Sequence, residues 1–227
     1  MRRTIMSQIE SVYYPALAVV GVPGNGVEIV ILSRGKCGLS RCITHYLVPM
    51  AMADLMVITC NLVLRWIVVL HWRNSFLHYT SVCKLILFGS STAIDISVWT
   101  TVAFTSDHFV AICCLRLKPK YCTRRTAAVV IIALSLLFCL KNIPWFFLYI
   151  SCYTINNIPR GCLVSPKIYT QTVWIAFSWI EQLLTLLLPF LLILFFNILT
   201  IRCILVASKA QRNFWEHNKG ESERQGP

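Results

Sequence analysis

Residues 82–114 read VCKLILFGSSTAIDISVWTTVAFTSDHFVAICC, an apolar run with Cys83 near its start and Asp107-His108-Phe109 near its end. A helix of about 33 residues is roughly 50 Å long at 1.5 Å per residue, whereas about 20 residues cross the hydrocarbon core of a bilayer. The segment is therefore a membrane span that tilts or projects beyond the lipid. The loop after it is basic (Arg116, Lys118, Lys120, Arg124, Arg125), and the positive-inside bias predicts a cytoplasmic position for the Asp107 end. Cys83 is then expected on the other side, where disulfides form.

Composition agrees with that start. Hydrophobic residues make up 57% of the 227-residue chain, charged residues only 13%, and the mean hydropathy is +0.67, more apolar than an ordinary soluble domain of this length requires. The net charge of +12 invites nucleic acid as a partner, but the bases are spread over loops instead of forming one patch interleaved with aromatics. Topology accounts for them: thirteen fall on the predicted inner side, including Arg34, Lys36, Arg41, Arg202, Lys209 and Arg212, and seven on the outer.

Four further spans flank the first. Working outward, they cover about 13–32, 46–70, 126–150 and 173–206, with the opening segment at 82–114. The fold class is all-α, a multi-pass transmembrane bundle of five helices. Residues 1–12 hold Arg2 and Arg3 but no apolar core with a small-residue cleavage site, so span one is expected to direct insertion. Odd span number puts the N-terminus outside and residues 207–227, polar and mixed in charge, inside as a disordered tail.

Acids within spans are the sharpest chemical signal. Glu28, Asp54, Asp95, Asp107 and Glu181 all sit in apolar segments, where an unpaired acid at a helix centre costs at least ~2.5–3.5 kcal/mol. They are expected to face the bundle. For Glu28, protonation or a local bond is as good a reading as function. Asp54, with Asn25 of span one and Ser97 of span three at similar depth, offers oxygens for a cation or a water cluster. Lys141, Asp95 and Glu181 form a second group, which either ties the spans together or serves as a ligand site. An enzyme or transporter is disfavoured: the five histidines are scattered, span hydroxyls lack an evident base, and no inverted repeat is visible.

Taken in order, Asn25, Leu47 through Asp54, Cys83, Asp107-His108-Phe109-Val110-Ala111-Ile112 and Pro189 resemble the rhodopsin-like G protein-coupled receptors. Within that family the stretches Ile29–Ser33, Val98–Val102, Asn142–Trp145 and Pro189–Asn197 are most similar to the orphan group typified by probable G-protein coupled receptor 139. The resemblance implies a disulfide from Cys83 to the second extracellular loop, with Cys162 as partner and Cys152 as the alternative. It implies a sodium site at Asn25, Asp54 and Ser97 and no other cofactor or metal. It makes Asp107, His108 and Phe109 the G protein-coupling motif, and Pro189 a helix kink. It also implies an extracellular small-molecule or peptide ligand in a pocket containing Ser90, Asp95, Trp99, Lys141 and Glu181, with Trp145 beside it. A heterotrimeric G protein, other receptor copies and the plasma membrane complete the expected partners.

Departures from the family pattern qualify what it implies. His108 replaces the arginine of the Asp-Arg-Tyr motif, and its side chain is shorter and mostly neutral at pH 7. Ser90 stands where amine receptors carry an aspartate, which disfavours a monoamine ligand. The usual span-four tryptophan is absent around Ser135. Residues 207–227 correspond to part of a third intracellular loop, so spans six and seven are expected to be missing, with retention in the endoplasmic reticulum as one consequence. A non-signalling receptor that pairs with full-length receptors and alters their trafficking is the alternative function.

Overall fold

In hydrocarbon each backbone N–H and C=O must bond inside its own segment, so long apolar stretches become helices. The computed structural model describes residues 5–34, 41–61 and 76–224. Five helices among them are long and apolar enough to span a membrane. They are α1 (Ile5–Ser33), α2 (Arg41–Ile58), α3 (Thr80–Cys113), α4 (Arg124–Leu148) and a fifth made of α5 (Thr172–Gln182), a π-helical turn (Leu183–Leu187) and α6 (Leu188–Arg224). The expected second span runs to residue 70, but 62–70 lie outside the described residues, as do 1–4 and 225–227.

Local chemistry sets the ends. Thr123 caps α4 by accepting the Thr126 N–H at 3.2 Å, which satisfies one of the orphan donors of the first turn. The same helix stops at Leu148 instead of residue 150, because Tyr149–Ile150 enter a strand. The tail expected to be disordered is helical through Arg224. Once a helix is nucleated each added residue contributes one bond at small cost, and after Pro189 the chain meets no proline until Pro227.

Helix α3 is the hub, packing against α2, α4 and α6, while α1 leans on α2. Small residues allow the close approaches. A Cβ on Gly21 would lie 2.6 Å from Ile58 Cδ1, and one on Gly89 3.0 Å from Met56 Cε, so both glycines let backbones come near a neighbouring helix. Burial is inverted relative to a soluble protein. Ser90, Asp95, Thr100 and Asn142 are buried, whereas Val129, Ile132, Leu136 and Leu140 form an exposed stripe along α4, as suits a bundle solvated by lipid.

Between α4 and the fifth helix the chain folds into two nested ladders that the all-α reading did not anticipate. Strands β1 (Tyr149–Ile150) and β4 (Leu163–Val164) pair antiparallel, as do β2 (Tyr153–Ile155) and β3 (Ile158–Arg160). Asn156 (φ 50°) and Asn157 (φ 62°) make the turn. Two positive φ angles suit a two-residue hairpin, and asparagine tolerates them. The ladder docks on the start of α3: Gly161 N–H donates to the His78 carbonyl (2.7 Å), Thr80 Oγ1 donates to the Gly161 carbonyl (3.0 Å), and Cys83 is disulfide-bonded to Cys162.

Candidate functional site

Asp95 lies twelve residues after Cys83 on α3, roughly 18 Å deeper along the helix axis. It is only 2% exposed, and a buried carboxylate is tolerated only with bonded partners. Three neighbours supply them. Lys141 Nζ of α4 stands 2.8 Å from Asp95 Oδ2, Asn142 Nδ2 donates to the same oxygen at 2.7 Å, and Thr185 Oγ1 donates to Oδ1 at 2.7 Å. Lys141 also reaches Glu181 Oε2 of α5 at 2.7 Å, and Trp145 Nε1 donates to Glu181 Oε1 at 2.9 Å. One ammonium thus joins carboxylates from two helices, and the fully buried Asn142 sits beside it.

Sequence spacing explains the convergence. Lys141 and Trp145 are four residues apart on one face of α4, and Glu181 and Thr185 four apart on the fifth helix. Those faces meet over Asp95. The network borders a cavity of about 270 Å³ whose wall includes Ile94, Asp95, Asn142, Trp145, Tyr149 and Glu181. Trp145 stacks with Tyr149 (6.1 Å between centroids) and touches Phe177 (5.6 Å), closing the aromatic side.

The five expected pocket residues separate. Asp95 and Glu181 line the cavity, and Lys141 is bonded to both without lining it. Ser90 accepts a hydrogen bond from Asn61 Nδ2 at 2.7 Å, away from the network. Trp99 serves the backbone instead: its Nε1 donates to the Leu184 carbonyl at 3.0 Å. That carbonyl sits in the π turn, where Leu188 N–H bonds to Leu183, so the next donor in the same pattern would be residue 189. Pro189 has no N–H, and the indole takes its place. The turn just before Pro189, where a kink is expected, is thus π-helical and bonded from α3. Asn142 and Thr185 were not among the expected pocket residues, although a polar amide next to Lys141 and a hydroxyl one turn from Glu181 were visible signals.

Other expected residues lie elsewhere along α3. Ser97 Oγ donates to Asp54 Oδ1 at 2.5 Å, but Asn25 Nδ2 turns to its own helix and bonds the Gly21 carbonyl at 2.9 Å. Of the three residues the resemblance implies for a sodium site, Asp54 and Ser97 are thus bonded to each other. Near the other end, His108 is exposed with its ring 5.8 Å from Phe104, and Phe109 packs on Phe196 at 5.9 Å. The Asp107 carbonyl accepts Cys122 Sγ–H at 3.5 Å. Burial pushes the Cys122 thiol pKa up, the Asp107 charge pushes it further, and Lys118 opposes them. At the disulfide end Cys83 and Cys162 have Cα atoms 6.1 Å apart, while Cys152 is an exposed free thiol.

Comparison with known proteins adds to this geometry. Residues 24–225 match the family described as 7 transmembrane receptor (rhodopsin family). The chain is 27% identical over 212 residues to growth hormone secretagogue receptor type 1 of Mustela putorius furo, covering 91% of this chain and 54% of that receptor. Neuropeptide receptor 22 of Caenorhabditis elegans is 28% identical over 144 residues, 63% of this chain and 33% of that protein. Tachykinin-like peptides receptor 86C of Drosophila melanogaster is 25% identical over 137 residues, 60% and 26% respectively. The chain thus spans about half or less of the length of these relatives.

Proposed function

The chain belongs to the rhodopsin family of seven-transmembrane receptors, and from that premise we propose that it takes an extracellular peptide or small-molecule ligand into the cavity beside Asp95, Trp145 and Glu181. The observation that carries this reading is the joining of three helices by one buried charged network at the edge of an aromatic-walled cavity. Ligand binding there acts on the relative positions of α3, α4 and α5, which is how a receptor converts occupancy into a shift between conformations. Two relatives are named for peptide ligands, a neuropeptide receptor and a tachykinin-like peptides receptor, which supports a peptide. The narrower likeness to the orphan group of probable G-protein coupled receptor 139 is part of the same proposal.

The disulfide and hairpin face outward in this reading, and the basic loops and the helical tail face the cytoplasm at the plasma membrane. A G protein would engage the Asp107 end, and Asp54 with Ser97 would hold a sodium ion completed by water. The test is a peptide-library screen on cells expressing the receptor, followed by Lys141→Met and Glu181→Gln. Loss of response with surface expression retained supports the pocket; an unchanged dose–response curve in both variants refutes it. His108 in place of arginine favours a second reading, a receptor that does not couple alone but associates with full-length receptors and alters their trafficking. Co-precipitation with a full-length relative, together with G protein signalling that does not respond to any peptide, distinguishes it.

A further inference from the structure

We propose that the cavity selects a cationic N–H donor, an alkylammonium or guanidinium group, carried on an apolar or aromatic body; this rests on the ligand-pocket reading above. The wall presents two carboxylates, Asp95 and Glu181, and the ammonium that pairs them, Lys141, is not among the lining residues. The network thus sets two carboxylates against one ammonium, an excess of acidic groups that a neutral water does not match.

The hydrogen bonds of Asn142 point to the same kind of group. Asn142 is fully buried and lines the cavity. Its Nδ2 is committed to Asp95 Oδ2 and to the Phe138 carbonyl at 2.9 Å, which fixes the amide orientation and leaves Oδ1 as a buried acceptor with no partner among the described residues. A buried polar atom in that state is destabilising until a donor arrives. Carboxylates and a lone carbonyl ask for N–H donors, not acceptors.

Ile94, Trp145, Tyr149 and Leu186 complete the wall, and aromatic faces attract cations as well as apolar carbon. At about 270 Å³ the space falls just below the ~300–1,000 Å³ of drug-sized sites, so it fits one side chain or one small amine. A bare metal ion would leave the apolar wall unused.

The test uses the whole chain in lipid nanodiscs, labelled with ¹⁵N-tryptophan, and follows the Trp145 indole N–H, assigned with Trp145→Phe. The probes are phenethylammonium against 2-phenylethanol, and acetyl-Phe-Arg-amide against its citrulline counterpart, which carries the same shape without charge. Saturable shifts with the cationic member of a pair and none with its neutral partner are expected, and the tighter pair identifies whether a free amine or a peptide side chain supplies the group. Glu181→Gln should weaken the cationic probe about tenfold, the scale of one charge-assisted bond; if that variant does not fold, the probe pairs on the unaltered chain still decide. Equal shifts from neutral and cationic probes, or reproduction of the shift by sodium at constant ionic strength, overturn the cation selectivity and leave the pocket. No shift from any probe overturns the pocket reading along with it.

Discussion

Replacing Lys141 with methionine removes the ammonium but keeps a long apolar stem, so the change isolates charge from volume. Lys141 is 15% exposed, against 2% for Asp95 and 12% for Glu181, and both carboxylates lose their only cationic partner among the described residues. Two magnitudes compete. An average interhelical hydrogen bond inside a membrane is worth about 0.6 kcal/mol, whereas breaking a buried ion pair costs about 3–5 kcal/mol because a charge is left uncompensated. The second governs here, and the donors that stay in place, Asn142, Thr185 and Trp145, bring the expected loss to the lower end, about 3 kcal/mol. The assay is reversible unfolding in mixed micelles, followed by circular dichroism. The triple variant Lys141→Met, Asp95→Asn, Glu181→Gln removes every charge and should return to within about 1 kcal/mol of the starting protein. A loss below about 1 kcal/mol for the single variant, or a triple variant no more stable than the single, would refute the argument that uncompensated charge is what the lysine prevents.

Other outcomes follow from single contacts. Trp99→Phe leaves the Leu184 carbonyl without a donor and should cost about 1–2 kcal/mol; adding Pro189→Ala, which restores an N–H in that turn, should recover part of the loss, and strict additivity in the unfolding cycle argues against the link. The Cys83–Cys162 bond closes a separation of 79 residues, for which chain entropy gives at most about 4.5 kcal/mol; Cys162→Ser should lower thermal stability markedly, and a shift no larger than that of Cys152→Ser contradicts the assignment. Gly21→Val places methyl groups against Ile58 and should cost about 1–3 kcal/mol, relieved by Ile58→Ala; an undiminished cost in the double variant refutes the contact. The Cys122 thiol, held protonated by burial and by Asp107, should react with a water-soluble maleimide only at alkaline pH. Asp107→Asn should move that profile to lower pH, since losing the negative charge eases thiolate formation, and an unmoved profile removes Asp107 as a cause.

What the sequence determined by itself is the part governed by solvent. Five apolar runs had to become helices, because a bilayer leaves no other way to satisfy the backbone, and the acids inside them had to turn inward. That reasoning located Asp95, Lys141 and Glu181 as one group, and the family resemblance supplied Cys162 as the partner of Cys83. Helical periodicity places residues on a face but does not say which face meets which neighbour. Tertiary packing alone decided that Lys141 bridges Asp95 and Glu181 while Asn142 lines the cavity, and that Trp99 bonds the backbone at the π turn. It likewise turned Asn25 toward its own helix and left Ser97 to Asp54. The hairpin between α4 and α5 was hidden for a related reason: strands of two and three residues carry too little alternation to read, and they are held by pairing with each other and by docking on α3. Local chemistry fixed the helices; the rotation and depth of each one, set by how neighbouring side chains fit, fixed the site.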